Sequence, residues 1–181
     1  MNYPIIPMPA KLWPRVREIY GEGIATGNAT FETEIPAWEK WDASHRKNCR
    51  LVALEAMGEH DALAESIVPL HHRIVLGWAA LSPVSPRPVY AGVAEVSVYV
   101  ATDARGRGVG KALLQALAEE SEAKGIWTLQ AGIFPENAAS VSLHKSCGFR
   151  RVGIGRRVGK LGDQWRDVLL FERRSSTVGR D

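Results

Sequence analysis

Arg105-Gly106-Arg107-Gly108-Val109-Gly110-Lys111 lies between two apolar segments of contrasting period. Before it, Val93 to Ala101 reads as a β-strand. After it, Val109, Ala112, Leu113, Ala116 and Leu117 recur at helical spacing. A glycine-rich turn from strand to helix leaves backbone N–H groups pointing outward at the positive end of the helix dipole. That is an anion site, and the usual anion is a phosphate or pyrophosphate. Glycine allows close approach of the anion and tolerates a positive φ.

Two common phosphate motifs do not fit. A P-loop needs a hydroxyl residue after its lysine, and here Ala112 follows Lys111. A dinucleotide fingerprint needs Gly-x-Gly-x-x-Gly, whereas Gly106, Gly108 and Gly110 alternate. Taken alone, the loop could equally be a tight turn without a ligand.

Its surroundings change that reading. Arg105-x-x-Gly108-x-Gly110 after Val98-Tyr99-Val100 resembles the coenzyme A pyrophosphate loop of the GNAT acetyltransferase superfamily. Downstream, Asn137-Ala138-Ala139-Ser140-Val141-Ser142-Leu143-His144-Lys145-Ser146-Cys147-Gly148-Phe149 resembles that superfamily's second coenzyme segment. The likeness runs from about Leu12 to about Phe171. It implies an α/β (α+β) fold with a mixed sheet of six to seven strands and about four helices. The sheet would bulge and splay at its central strands.

The chain has 181 residues, a formal charge of +3 and ordinary apolar and charged fractions. That suits one domain, expected over 1–173. Residues 57–72 read as a polar surface insertion and 174–181 as a disordered tail. No apolar run reaches the roughly 18 residues of a membrane span. The N-terminus lacks a signal-peptide pattern. The expectation is therefore a cytoplasmic protein with no membrane partner. Cys49 and Cys147 form neither a metal spacing nor a disulfide framework, so no metal is expected. The basic residues are too dispersed for a nucleic-acid footprint.

Along the chain, strands are expected near 5–8, 50–55, 74–81, 93–101, 127–133, 149–157 and 164–171. Helices are expected from near Ala10, and over about 36–46, 109–124 and 137–146.

Acetyl transfer to an amine needs a base for the ammonium, a donor for the developing oxyanion and a proton for the leaving thiolate. Glu95 is the candidate base. A carboxylate inside an apolar strand is costly without a partner or a role, and partial burial raises its pKa. From the residues alone, a structural ion pair with an arginine is an equal reading. The resemblance tips Glu95 toward catalysis. Phe31-Glu32-Thr33, Arg87-x-x-Tyr90-x-x-x-x-Glu95-x-x-Val98-Tyr99-Val100 and Gly162-x-x-Trp165-x-Asp167 are similar to the phosphinothricin acetyltransferase group. That group N-acetylates the α-amino group of small amino-acid-like compounds such as methionine sulfoximine. There a glutamate at the position of Glu95 is held to be the base, and a histidine stands at the position of His144.

The resemblance implies acetyl-CoA as co-substrate, held by Val98, Tyr99, Val100, Arg105, Gly106, Arg107, Gly108, Val109, Gly110, Lys111 and Asn137. His144 reads either as a general acid or as a hydrogen-bonded helix residue with no proton transfer. Arg87 would clamp a substrate carboxylate, and Phe31 would line the side-chain pocket. Trp165 reads as core or as a wall of the site or interface. A homodimer is expected, with Trp38, Trp41 and Trp165 on segments that could flank its interface. Other acceptors, a protein N-terminus or a polyamine, and a non-catalytic acyl-CoA-binding module are the alternatives. Arg87 argues against a polyamine, and Glu95 against mere binding.

Overall fold

The computed structural model describes residues 3–56 and 73–180. The expected insertion at 57–72 lies outside the described residues. The remainder builds one seven-stranded mixed sheet. Its strands are β1 (Ile5–Pro7), β2 (Arg50–Leu54), β3 (Val75–Pro83), β4 (Val93–Val100), β5 (Thr128–Ile133), β6 (Arg150–Leu161) and β7 (Gln164–Arg174). They lie in the order β1-β2-β3-β4-β5-β7-β6. Four α-helices, α1 (Trp13–Ala25), α2 (Trp38–Ser44), α3 (Val109–Ala123) and α4 (Ala138–Ser146), connect them. This matches the mixed sheet and four helices expected.

Each helix begins and ends for a local reason. Pro14 falls at the start of α1, where a missing N–H breaks no helical bond. Asn137 caps α4, its side chain accepting from Ser140 N at 3.1 Å. Gly125 (φ 76°) and Gly148 (φ 83°) end α3 and α4 in the left-handed conformation that suits glycine. On α3, Leu113, Leu114 and Leu117 are fully buried. Truncating any one to alanine costs about 2–5 kcal/mol, because the cavity left behind only partly collapses.

The central feature is the parting of two parallel strands. β4 pairs with β5 only at Val93↔Thr128, Ala94↔Leu129 and Glu95↔Gln130. Beyond Glu95 the strands diverge, while β4 stays paired with β3 through Gly77↔Val100. The β3–β4 register runs without a shift, so divergence, not the expected bulge, opens the sheet. Backbone groups of β4 that point away from β3 then face the cleft.

An aromatic chain fixes the far wall of that cleft. Trp13 packs on Trp38 and Trp41 at 5.5 and 5.2 Å, and Trp41 on Trp78 at 5.6 Å. Trp78 stacks on Tyr99 at 4.7 Å, and Tyr20 meets Tyr99 edge-on at 4.8 Å. Trp41 therefore belongs to the core cluster, and Trp38, half-buried, packs against it. Under them Arg50 is buried, paired with Asp42 and donating to the carbonyls of Asp42 and His45 at 2.8 Å each.

Two expectations at the C-terminal end change. β6 and β7 run longer than expected, to Leu161 and Arg174, because irregular register in β6 absorbs extra residues. The second concerns the described residues after β7, which make contacts of their own. Ser175 is buried and donates its N–H to Trp127 O at 2.8 Å, and its hydroxyl accepts from Thr177 N and Val178 N.

Candidate active site

The glycine loop builds the first half of the site. Gly106 (φ 75°) and Gly108 (φ 87°) are left-handed, and a Cβ at either would meet nothing within 4 Å. Backbone conformation, not crowding by the protein, demands glycine there. Gly110 has the opposite reason. A Cβ there would stand 3.2 Å from Leu143 and 3.4 Å from Val100, so it lets α3 sit close to α4 and β4. Behind this loop lies a groove of about 520 Å³. Val98, Tyr99, Val100, Arg105, Gly106, Gly108, Val109, Gly110, Lys111 and Asn137 all line it.

Two expected members behave differently. Arg107 does not line the groove; its guanidinium pairs with Glu55 and its carbonyl accepts from Tyr3. Alternation along the loop turns it away from its neighbours. Asn137 lines the groove, but its side chain is already engaged. Besides capping α4, it donates to Asn28 O at 3.0 Å and so ties α4 to the loop after α1.

A second cavity of about 360 Å³ opens on the other side of the splay. The two share Ala29, Val98, Tyr99 and Ser140 as walls. Glu95, His144 and Phe31 all line the second cavity. Glu95 lies on the face of β4 that Tyr99 also occupies. It reaches the water of the cavity, yet it stands low in the cleft, and burial raises its carboxyl above the ordinary value. Among the described residues it has no ion-pair or hydrogen-bond partner, so the structural ion pair with an arginine does not form. Gly132 lies beside it and makes room for Val168, whose Cγ1 a Cβ there would meet at 3.2 Å.

His144 is almost fully buried. Its Nδ1 lies 2.9 Å from Ser140 O, which can only accept, so Nδ1 carries the proton. Nε2 then holds a lone pair and has no protein partner. Burial lowers the pKa of the ring, against the smaller opposing effect of the Ser140 bond. A neutral ring with a free lone pair accepts protons more readily than it donates them. The arrangement fits a general acid poorly.

Arg87 is not brought to the cavity. Flanking prolines and a 3₁₀ turn over Pro88–Tyr90 keep it in an exposed loop, its guanidinium 5.7 Å from the Tyr90 ring centroid. Within one chain, therefore, it clamps nothing in the pocket. Trp165 is not core; it is 54% exposed, with Lys160 over its ring. Cys147 remains an ordinary thiol, since burial pushes its pKa up.

Several lining residues escaped the sequence reading. Tyr20, Thr30, Glu32, Ser97, Phe134, Val158 and Val168 complete the cavity. Only Glu32 carried a local signal, as the neighbour of Phe31. The cavity has two ends. Tyr20, Thr30, Ser97, Tyr99 and Glu95 are polar, whereas Phe31, Phe134, Val158 and Val168 are apolar. Among the described residues, its only ionisable carboxylates are Glu32 and Glu95, and no lysine or arginine lines it.

The pattern of the acetyltransferase (GNAT) family matches residues 15–149, which hold the splayed strands and both coenzyme-type segments. The chain belongs to this family. It is an N-acetyltransferase. It is 34% identical over 166 residues to the L-methionine sulfoximine/L-methionine sulfone acetyltransferase of Pseudomonas paraeruginosa, covering 88% of this chain and 87% of that one. It is 35% identical over 162 residues to the phosphinothricin N-acetyltransferase of Alcaligenes faecalis, covering 88% and 76%. A solved GNAT superfamily phosphinothricin acetyltransferase from Sinorhizobium meliloti, in complex with AcCoA, superposes with a TM-score of 0.81. Its identity is 26%, with 100% of this chain and 92% of that one covered. Among the described residues no helix is long and apolar enough to cross a membrane, and no cluster of three or more His, Cys, Asp or Glu could hold a metal.

Proposed function

We infer that this GNAT enzyme transfers an acetyl group from acetyl-CoA to the α-amino group of a small amino-acid-type acceptor. One observation carries the reading. The unpaired Glu95 carboxylate, its pKa raised by burial, stands in a cavity that shares a wall with the groove behind the glycine loop. The relatives named for methionine sulfoximine and phosphinothricin support the acceptor class.

Bound acetyl-CoA supplies a thioester carbonyl open to attack by a free amine. The groove's glycine loop and the N-terminus of α3 offer backbone N–H groups to the pyrophosphate. Lys111 and Arg105 add positive charge. Glu95 takes the proton from the acceptor's ammonium, directly or through one water, and frees its lone pair. Backbone N–H groups of β4 beyond Glu95, free of β5, serve as donors to the oxygen as negative charge builds. As the C–S bond breaks, coenzyme A leaves as its thiolate and takes up the proton that the attacking nitrogen loses, while His144 Nε2 stays buried in the wall of the same cavity.

Glu32 and Glu95 also favour a second acceptor class, cationic amines without a carboxylate. With Arg87 outside the pocket, the sequence argument against a polyamine falls away. The enzyme is further read as a cytoplasmic homodimer. Val152, Ile154, Trp165 and Leu170 leave an exposed apolar surface on the β6–β7 hairpin, at the edge of the sheet. A second copy of the chain would cover it and bring the pocket rim to the subunit boundary. Thiol release against methionine sulfoximine, phosphinothricin, free amino acids, their amides and spermidine tests the acceptor. Preference for acids over amides supports the amino-acid reading, and preference for spermidine overturns it.

A further inference from the structure

The irregular stretch of β6 has a consequence for acceptor choice. Between the pairs Gly155↔Val168 and Gly159↔Arg166, the residues Arg156, Arg157 and Val158 all face the single residue Asp167. That is a β-bulge larger than the usual two residues against one, and bulges re-aim side chains. Arg157 sits in the left-handed region, with φ 51°, which a non-glycine residue seldom adopts unless its surroundings enforce it. The enforcing contact is local. Arg157 N donates to Asp167 Oδ1 at 2.8 Å.

The bulge brings Val158 to the mouth of the second cavity, where it forms part of the lining and stays 58% exposed. Two glycines make room for that arrangement. A Cβ on Gly155 would stand 2.6 Å from Val158, and one on Gly159 would stand 2.9 Å from the Phe31 ring. Phe31 in turn meets Phe134 edge-on at 4.8 Å. Val168, next to Asp167, lines the same end. The apolar end of the cavity is therefore assembled from the 31 loop, the residue after β5 and the bulge. Its position depends on one carboxylate–amide bond.

We propose that Asp167 is a positioning residue that pins the bulge, and that Val158, so held, sets the width of the acceptor pocket and selects acceptors with an apolar side chain. This rests on the reading of the second cavity as the acceptor site. Asp167 touches neither reacting group; it acts through Arg157 and Val158.

The test compares Asp167→Ala, Asp167→Asn, Val158→Phe and the double variant Asp167→Ala/Arg157→Gly with the wild type. Methionine sulfoximine and alanine serve as long and short acceptors, and crystal structures accompany the kinetics. In Asp167→Ala the KM for methionine sulfoximine should rise about tenfold, as expected for a displaced apolar wall. The KM for acetyl-CoA and the alanine KM should stay within about twofold. Asp167→Asn keeps the accepting oxygen and should restore the wild-type value. Arg157→Gly, which adopts the left-handed conformation without a pin, should rescue the alanine variant. Val158→Phe should narrow the pocket and discriminate more strongly against the long acceptor. Equal rises in every KM, or no rescue by Asn or Gly, would overturn the proposal. So would a crystal structure of Asp167→Ala with Arg157 still left-handed and Val158 unmoved, whatever acceptor the enzyme uses. Silence of the wild type toward every amine would instead overturn the acceptor reading of the cavity and leave the pin to be judged by that structure.

Discussion

Replacing Glu95 with glutamine separates catalysis from structure unusually well. The carboxylate has no ion pair or hydrogen bond to lose, and glutamine has nearly the same shape. The variant should fold and retain acetyl-CoA. A positioned general base contributes about a hundredfold to ten-thousandfold, which is about 2.7–5.4 kcal/mol of barrier. The loss in kcat/KM should fall in that range near neutral pH. It should shrink as pH rises, because solution then supplies the free amine that Glu95 would have made. Below the amine's pKa each pH unit multiplies the free amine by about ten, so the recovery should approach tenfold per unit. Stability gives an independent sign. Burial raises the folded pKa of Glu95 above its unfolded value. Its contribution is therefore fully present below the unfolded pKa and is lost as pH rises through the folded pKa. At neutral pH the wild type bears the cost of a partly desolvated charge, small because the side chain is open to the water of the cavity, that glutamine removes. Glu95→Gln should thus match the wild type in acid and melt higher at neutral pH. Steady-state thiol release from pH 6 to 10, about the range of the amine's titration, and thermal melts at two pH values measure both effects. Pairing of wild-type turnover with wild-type pH dependence in the variant would refute the base. A melting temperature that drops at neutral pH would show that Glu95 has a stabilising partner after all.

Gly108→Glu should abolish stabilisation by acetyl-CoA in a thermal-shift titration, since it sets a carboxylate against the anion site; a wild-type shift would clear the loop of that role. Gly108→Ala isolates the backbone effect and should cost about 1–2 kcal/mol, because its Cβ meets open space and only the left-handed φ is strained. Arg50→Ala removes the buried donor to the carbonyls of Asp42 and His45, while Lys47 still pairs with Asp42, and should cost about 1–3 kcal/mol in urea unfolding. Ile154→Lys with Trp165→Glu should convert the proposed dimer to a monomer by light scattering without a loss of fold; an unchanged mass would move the interface elsewhere.

Composition, periodicity and turn chemistry determined the order of strands and helices, because those signals act over a few neighbouring residues. The glycine loop was legible for the same reason: positive φ at Gly106 and Gly108 and the opening of α3 are properties of one short stretch. Glu95 stood out because a carboxylate in an apolar strand breaks the local pattern. What the neighbours of these residues would be was not local. Arg107 belongs to the loop in sequence, but pairing with Glu55 and Tyr3 turns it away from the groove. Arg87 occurs in a motif with Glu95, yet prolines and a 3₁₀ turn hold it outside the pocket. The two readings of His144, general acid or hydrogen-bonded helix residue, meet their geometry only once its burial and its bond to Ser140 O are known. Tyr20, Phe134, Val158 and Val168 come from four separate segments, and no spacing in the chain links them. They meet because β4 and β5 part after Glu95 and because the bulge of β6 carries Val158 to the cavity's rim. Strand divergence and cross-strand register depend on packing across the whole sheet, so the cavity exists only in the tertiary structure.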